Sequence, residues 1–277
     1  MSINISGLVG LTVLLNKKNN KLIVLLADIH DGVKYCEKNN IYIDDLLNKL
    51  LDNQNINVML EEVPREGINL IELWPNAKHT QRLKDWYLKN TDKIVPIDIR
   101  PYLVPFSYQK YFINDLDDNE KNMKMINYLQ TLDSIFSLND KPLDNGLFFI
   151  NNLVNGLKNK ESGAGINMMY KLIKDKYLKL RYIKDLNNSF EQIIKNDVDW
   201  FKELEELKIN LMDWYTTILL LGGKHSICHF GLAHFMNVKA ILMKNFYCEL
   251  IYEDGINNIS KEILDDDKVL ACMKLVF

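Results

Sequence analysis

Histidines and carboxylates gather at four short places in these 277 residues: Asp28-Ile29-His30-Asp31, Glu61-Glu62, Asp98-Ile99-Arg100 and Gly231-Leu232-Ala233-His234. Neutral imidazole nitrogen and carboxylate oxygen both ligate divalent transition metals, and a metal so held makes water nucleophilic near neutral pH. His30, His234 and Glu61 are the candidate ligands, with Mn or Zn as the suited ion. Glu61, Asp98 and Arg100 are the candidate catalytic groups. Glu61 either completes the coordination or takes a proton from water, and Asp98 orients a histidine or holds Arg100. The fixed charge of Arg100 suits an oxyanion or a substrate carboxylate. Asp28, Asp31 and Glu62 stand beside them as secondary candidates. Plainer readings stay open: a helix cap for His30, a solvated loop carboxylate for Glu61, a structural ion pair for Asp98 and Arg100. His225 and His229 read as structural histidines, and His79, in the polar stretch Asn76 to Thr80, reads as a surface residue.

These residues matter because of what precedes them. Leu22-Ile23-Val24-Leu25-Leu26 is apolar on both faces, as in a central strand covered by helices. Leu8 to Leu15 and Lys21 to Ile29 form a hairpin across the polar turn Asn16 to Asn20. Ile43, Leu46, Leu47, Leu50 and Leu51 recur at helical spacing, a strand follows at Ile56 to Leu60, a helix near Gln81 to Leu88, and a strand at Ile94 to Ile99. This alternation predicts an α/β fold with a mainly parallel central sheet flanked by helices. Ligands bind beyond the carboxyl ends of such strands, where the polar groups lie.

Helical periodicity takes over through Met123 to Phe136, Met168 to Tyr182, Phe190 to Leu207 and Leu211 to Leu221. Residues 107–221 read as a helical insertion within a single domain, 1–277, placed before the last strand of the site. Met168, Met169, Tyr170, Trp200, Phe201, Met212, Trp214 and Tyr215 are its expected core. A strand at His225 to Phe230, a helix at Phe235 to Lys244, and strands at Tyr247 to Tyr252 and Lys268 to Val276 complete the chain.

In order and in strand context, the polar pieces resemble the broad superfamily of TraB/TIKI-type proteins, ChaN-like proteins and erythromycin esterases. Its pattern begins with a first-strand GxxH or GExH, here Ala27-Asp28-Ile29-His30, with Ala27 in place of glycine. A strand-end Glu follows, here Met59-Leu60-Glu61 with Pro64-Arg65 after it. An Asp-Arg element comes next, here split by a residue as Asp98-Ile99-Arg100, and a second GxxH closes the set as Gly231-Leu232-Ala233-His234. The resemblance implies an α/β core in which the two motif histidines and the Glu form the site. It implies metal-dependent hydrolysis of a peptide or ester bond, used by TIKI-like members and proposed for TraB-like ones. Other members bind haem or hydrolyse esters, so a non-catalytic ligand- or protein-binding role stays open. Asp28-Ile29-His30 also resembles the first motif of calcineurin-like metallophosphoesterases, whose later Gly-Asn-His element is missing here.

Composition narrows the partners. With 34 Lys+Arg against 37 Asp+Glu the net charge is −3, so no basic excess points to nucleic acid. The expected partner is a small-molecule or peptide substrate. Lys greatly outnumbers Arg and Asn is abundant, a bias that AT-rich coding produces in a low-GC cell or a large DNA virus alike. No stretch reaches the roughly 18 apolar residues of a membrane span, and the run Leu8 to Leu15 lacks signal-peptide features. Cys36, Cys228, Cys248 and Cys272 have no CxxC-type spacing and largely apolar neighbours, which predicts reduced thiols and a cytoplasmic location.

Overall fold

The computed structural model describes residues 2–30, 33–38, 40–64, 77–103, 116–136, 152–153, 155–156, 158, 163–181, 186–255 and 269–276. The chain divides into two compact units, Met1–Asp98 with Gly222–Phe277, and Ile99–Leu221.

The first unit is α/β. Its strands are β1 (Ser2–Ser6), β2 (Gly10–Asn16), β3 (Lys21–Asp28), β4 (Val33–Tyr35), β5 (Asn40–Tyr42), β6 (Ile56–Leu60), β7 (Ile94–Pro96), β8 (His225–Gly231), β9 (Cys248–Gly255) and β10 (Val269–Val276). Six of them form a sheet in the order β7-β6-β8-β3-β2-β9. β7, β6, β8 and β3 run parallel, while β2 at one side pairs antiparallel with both β3 and β9. β3 is central, with Ile23, Leu25, Leu26 and Ala27 wholly buried, which is why its sequence is apolar on both faces. A smaller sheet, β4-β10-β1-β5, joins segments that are far apart in sequence.

Helices Ile43–Asn48 and Lys78–Lys89 share one core with the main sheet, in which Ile43, Leu47, Leu83, Trp86 and Tyr87 meet Leu26, Val58, Leu60, Ile94 and Ile227. Arg82 ties the two helices through Asp44 and Asp45. The second helix starts three residues earlier than the periodicity near Gln81 suggested. It buries His79, Leu83, Trp86 and Tyr87, the i, i+4, i+7, i+8 spacing of one helical face. His79 is wholly buried, which corrects its reading as a surface residue. Helix Leu232–Asn245 follows β8 directly and packs against β3, β8 and β9.

Two of the four cysteines also depart from expectation. Cys36 and Cys272 form a disulfide with Cα atoms 5.1 Å apart, so these two are not reduced thiols. Tyr35 of β4 stands in register with Ala271 of β10, and the next residue on each strand is a cysteine. The apolar neighbours suit a bond between strands as well as a buried thiol. Cys228 and Cys248 are free and buried.

The second unit is helical, with long helices Gly163–Arg181 and Val198–Leu221 and a 3-10 turn at Arg100–Leu103. Met169, Trp200, Met212, Trp214 and Tyr215 are buried as core, whereas Met168 is 54% exposed. The expected break between Leu207 and Leu211 is absent, because no helix breaker stands there. The chain interrupts instead at Asp197, whose carboxylate accepts a hydrogen bond from the Trp200 N–H at 2.9 Å and restarts the helix. Among the described residues no helix is long and apolar enough to cross a membrane.

Candidate functional site

β8 lies between β3 and β6, so the carboxyl ends of three parallel strands open side by side. Register sets the depth of each group: Asp28 pairs with Gly231, Leu60 pairs with His229, and the Glu61 N–H extends the ladder to the His229 carbonyl at 3.0 Å. The strand ends thereby bring together Asp28, His30, Glu61, His229 and His234. An open pocket is lined there by Asp28, His30, Glu61, Glu62, Thr80 and His229.

Glu61 stands between two imidazoles. Its Oε2 is 3.8 Å from His30 Nε2, and its Oε1 is 3.7 Å from His234 Nε2. The Gly231 N–H donates to Oε2 at 2.6 Å, so the carboxylate sits at the start of helix Leu232–Asn245, where the helix dipole favours negative charge. The lack of a side chain on Gly231 makes the gap: a Cβ there would lie 2.9 Å from His30 Nε2 and 3.4 Å from Glu61 Oε2.

Asp28 is wholly buried, and each of its side-chain partners is an imidazole. Its Oδ2 lies 3.0 Å from His79 Nε2, 3.3 Å from His30 Nδ1 and 3.8 Å from His229 Nε2. Burial works against its charge, but the attraction of His30 and His229 and the hydrogen bonds from His30 and His79 outweigh it. The carboxyl is held well below the usual range. An ionised carboxylate only accepts, so His79 Nε2 and His30 Nδ1 both donate to it. Whenever the His30 ring is neutral, its lone pair is therefore on Nε2, the atom facing Glu61. Burial, opposed by Asp28, lowers the His229 pKa to about 4, so that ring is neutral at pH 7. His229 Nε2 and Asp28 Oδ1 are buried without a hydrogen-bond partner.

The remaining expected residues fall in several places. Glu62 is buried, and its carbonyl accepts from the Asp98 N–H at 3.1 Å, which keeps buried Asp98 beside the strand end of β6. Arg100 opens the 3-10 turn of the second unit. Asp31 and Arg65 lie outside the described residues. Sequence reasoning missed His79 as a partner of Asp28 and underrated His229. The signal for His79 was its place four residues before Leu83 on an amphipathic helix, and for His229 its position inside an apolar strand.

Among the described residues no three His, Cys, Asp or Glu side chains already stand as a metal-ligand set. Ligands about 2.0–2.2 Å from one ion lie roughly 3 to 3.5 Å from each other. The 3.7 and 3.8 Å separations around Glu61 are a few tenths of an ångström wider than that. No protein-family model, curated protein or solved structure matches this chain.

Proposed function

We propose that this chain is a hydrolase of peptide or ester bonds that works with a divalent cation, Mn or Zn, held by His30, Glu61 and His234. The observation that carries the reading is Glu61 set between two imidazole Nε2 atoms at 3.7 and 3.8 Å, beside a gap kept open by Gly231. The donor set, two imidazoles and a carboxylate, suits a borderline transition metal. The Asp28 carboxylate behind His30 supplies the outer hydrogen bond that such ligand histidines commonly carry. The resemblance of the four polar pieces to TraB/TIKI-type and ChaN-like proteins supports the same assignment.

When bound, the cation supplies Lewis acidity toward water and the substrate carbonyl. The protein's own groups do the rest. Asp28 holds His30 so that Nε2 presents its lone pair to the pocket. Glu61 either completes the coordination or accepts the proton of the attacking water, in a place where the Gly231 N–H and the helix start favour its charged form. His234, in the first turn of the same helix, closes the other side of Glu61. The Cys36–Cys272 bridge bears on location: such bonds persist in oxidising compartments, so a cytoplasmic location loses the support it drew from reduced thiols.

A panel of peptides and esters tests the reading with wild type, His30→Ala and His234→Ala, each with chelator and with restored Mn²⁺ or Zn²⁺. Expected is a hydrolysis lost in chelator, restored by metal and lowered at least about 10²-fold by either substitution. Activity that survives both substitutions and chelation sinks the mechanism. A chain that binds the cation and hydrolyses nothing on the panel would favour the ligand-binding alternative.

A further inference from the structure

We infer that His79, acting through Asp28, decides which nitrogen of His30 carries the proton, and that Tyr35 fixes His79 in turn. Neither residue belongs to the expected ligand set, and both act as positioning residues. The functional consequence rests on the reading proposed above; the chemical state of His30 does not.

A chain of hydrogen bonds runs outward from Asp28. Its two bonded partners must both donate, as derived above, so His79 is protonated on Nε2. In the neutral ring Nδ1 then accepts, and the Tyr35 hydroxyl stands 3.0 Å from it as the donor. The same hydroxyl oxygen accepts from the His79 backbone N–H at 3.3 Å. Tyr35 therefore reads both the ring and the backbone of His79, and only one ring orientation satisfies the two bonds together. Gly7 makes room for this seat. At φ +99° it adopts a conformation that favours glycine, and a Cβ there would lie 2.8 Å from the His79 Cβ.

The His79 bond to Asp28 is the shorter of the two, at 3.0 Å against 3.3 Å for His30. It locks the carboxylate in the one orientation that meets His30 Nδ1. Without it, Asp28 turns and the His30 proton no longer has a fixed partner. The lone pair of His30 is then shared between Nε2 and Nδ1, and the nitrogen beside Glu61 is no longer a constant donor to a cation.

Nitrogen-15 imidazole spectra of the cation-free full chain read this directly, since protonated and unprotonated ring nitrogens resonate far apart. Wild type is expected to show His30 with Nδ1 protonated and Nε2 unprotonated. His79→Phe should give an averaged or reversed His30 pattern, and His79→Gln, which keeps a side-chain N–H donor, should restore it. Zn²⁺ affinity should fall about 10-fold in His79→Phe and recover in His79→Gln. Should His79→Phe not fold, Tyr35→Phe removes only a hydroxyl on a half-buried ring and should shift His79 from its single tautomer and broaden His30. An unchanged His30 pattern in whichever of these variants folds, or a wild-type His30 protonated on Nε2, overturns the inference. A coupled His30 response in a chain that hydrolyses nothing would uphold it while removing the proposed reaction. Hydrolysis with a His30 pattern indifferent to His79 would do the reverse.

Discussion

Gly231 is the residue at which the smallest change reaches the site most directly. Its φ of −59° is open to any amino acid, so Gly231→Ala leaves the backbone unstrained while placing a methyl 2.9 Å from His30 Nε2. We expect cation affinity to fall at least about 10-fold with stability changed by roughly 1 kcal/mol or less. Titration calorimetry beside a thermal melt checks both, and unchanged affinity would contradict the role given to the gap. Asp28 and His229 predict a pH response. The folded His229 pKa is about 4 because of burial, whereas the unfolded chain takes up that proton from about pH 6.5 downward. A depressed folded pKa means that stability is intact above about 6.5 and falls as pH drops toward 4, by on the order of 3 kcal/mol. Asp28 is depressed too, so its contribution is present above about 3.9 and disappears at lower pH, after that of His229. Denaturant curves between about pH 7.5 and 4.5 should show the upper window, flattened in His229→Leu; a flat wild-type profile would contradict it. At this scale the sequence made His30, Glu61 and His234 visible, because each ends or follows an apolar strand. It hid His79, because the polar residues before it mask the start of an amphipathic helix whose buried face begins there.

Elements differ in how plainly they announce themselves. β3, β6 and β8 were legible because central strands must be apolar on both sides, and the hairpin of β2 and β3 because a polar turn separates two such runs. β1, β4 and β5 were not. They have three to five residues and little room for periodicity, and β1 pairs with β10 at the far end of the chain. Pairing across such a distance leaves no local trace, and neither did the disulfide that fastens the same sheet. That bond closes a loop with a sequence separation of 236 residues, so its loss should cost about 3 to 5 kcal/mol through the freedom it returns to the unfolded chain. Cys272→Ser compared with wild type, with and without a dithiol reductant, measures this in denaturant titrations. Equal stability of Cys272→Ser and of the wild type kept free of reductant would show that the bridge contributes nothing.

Residues on both sides of Ile99–Leu221 build one sheet, in which β8, which follows the helical unit in sequence, lies between β3 and β6. The helical unit was recognisable from its 3.6-residue spacing, whereas the ends of its individual helices depended on single residues such as Asp197 that periodicity does not weigh. The α/β unit alone contains Asp28, His30, Glu61, His79, His229 and His234, so the proposed chemistry stands or falls on one body of structure. Equilibrium dialysis of the full chain against Zn²⁺ or Mn²⁺ tests that chemistry most directly. The account predicts a single ion per chain bound at micromolar concentration, lost when His30 and His234 are both replaced by alanine in a protein that keeps its circular dichroism spectrum. Binding of equal strength in the doubly substituted chain, or none in wild type, would contradict it.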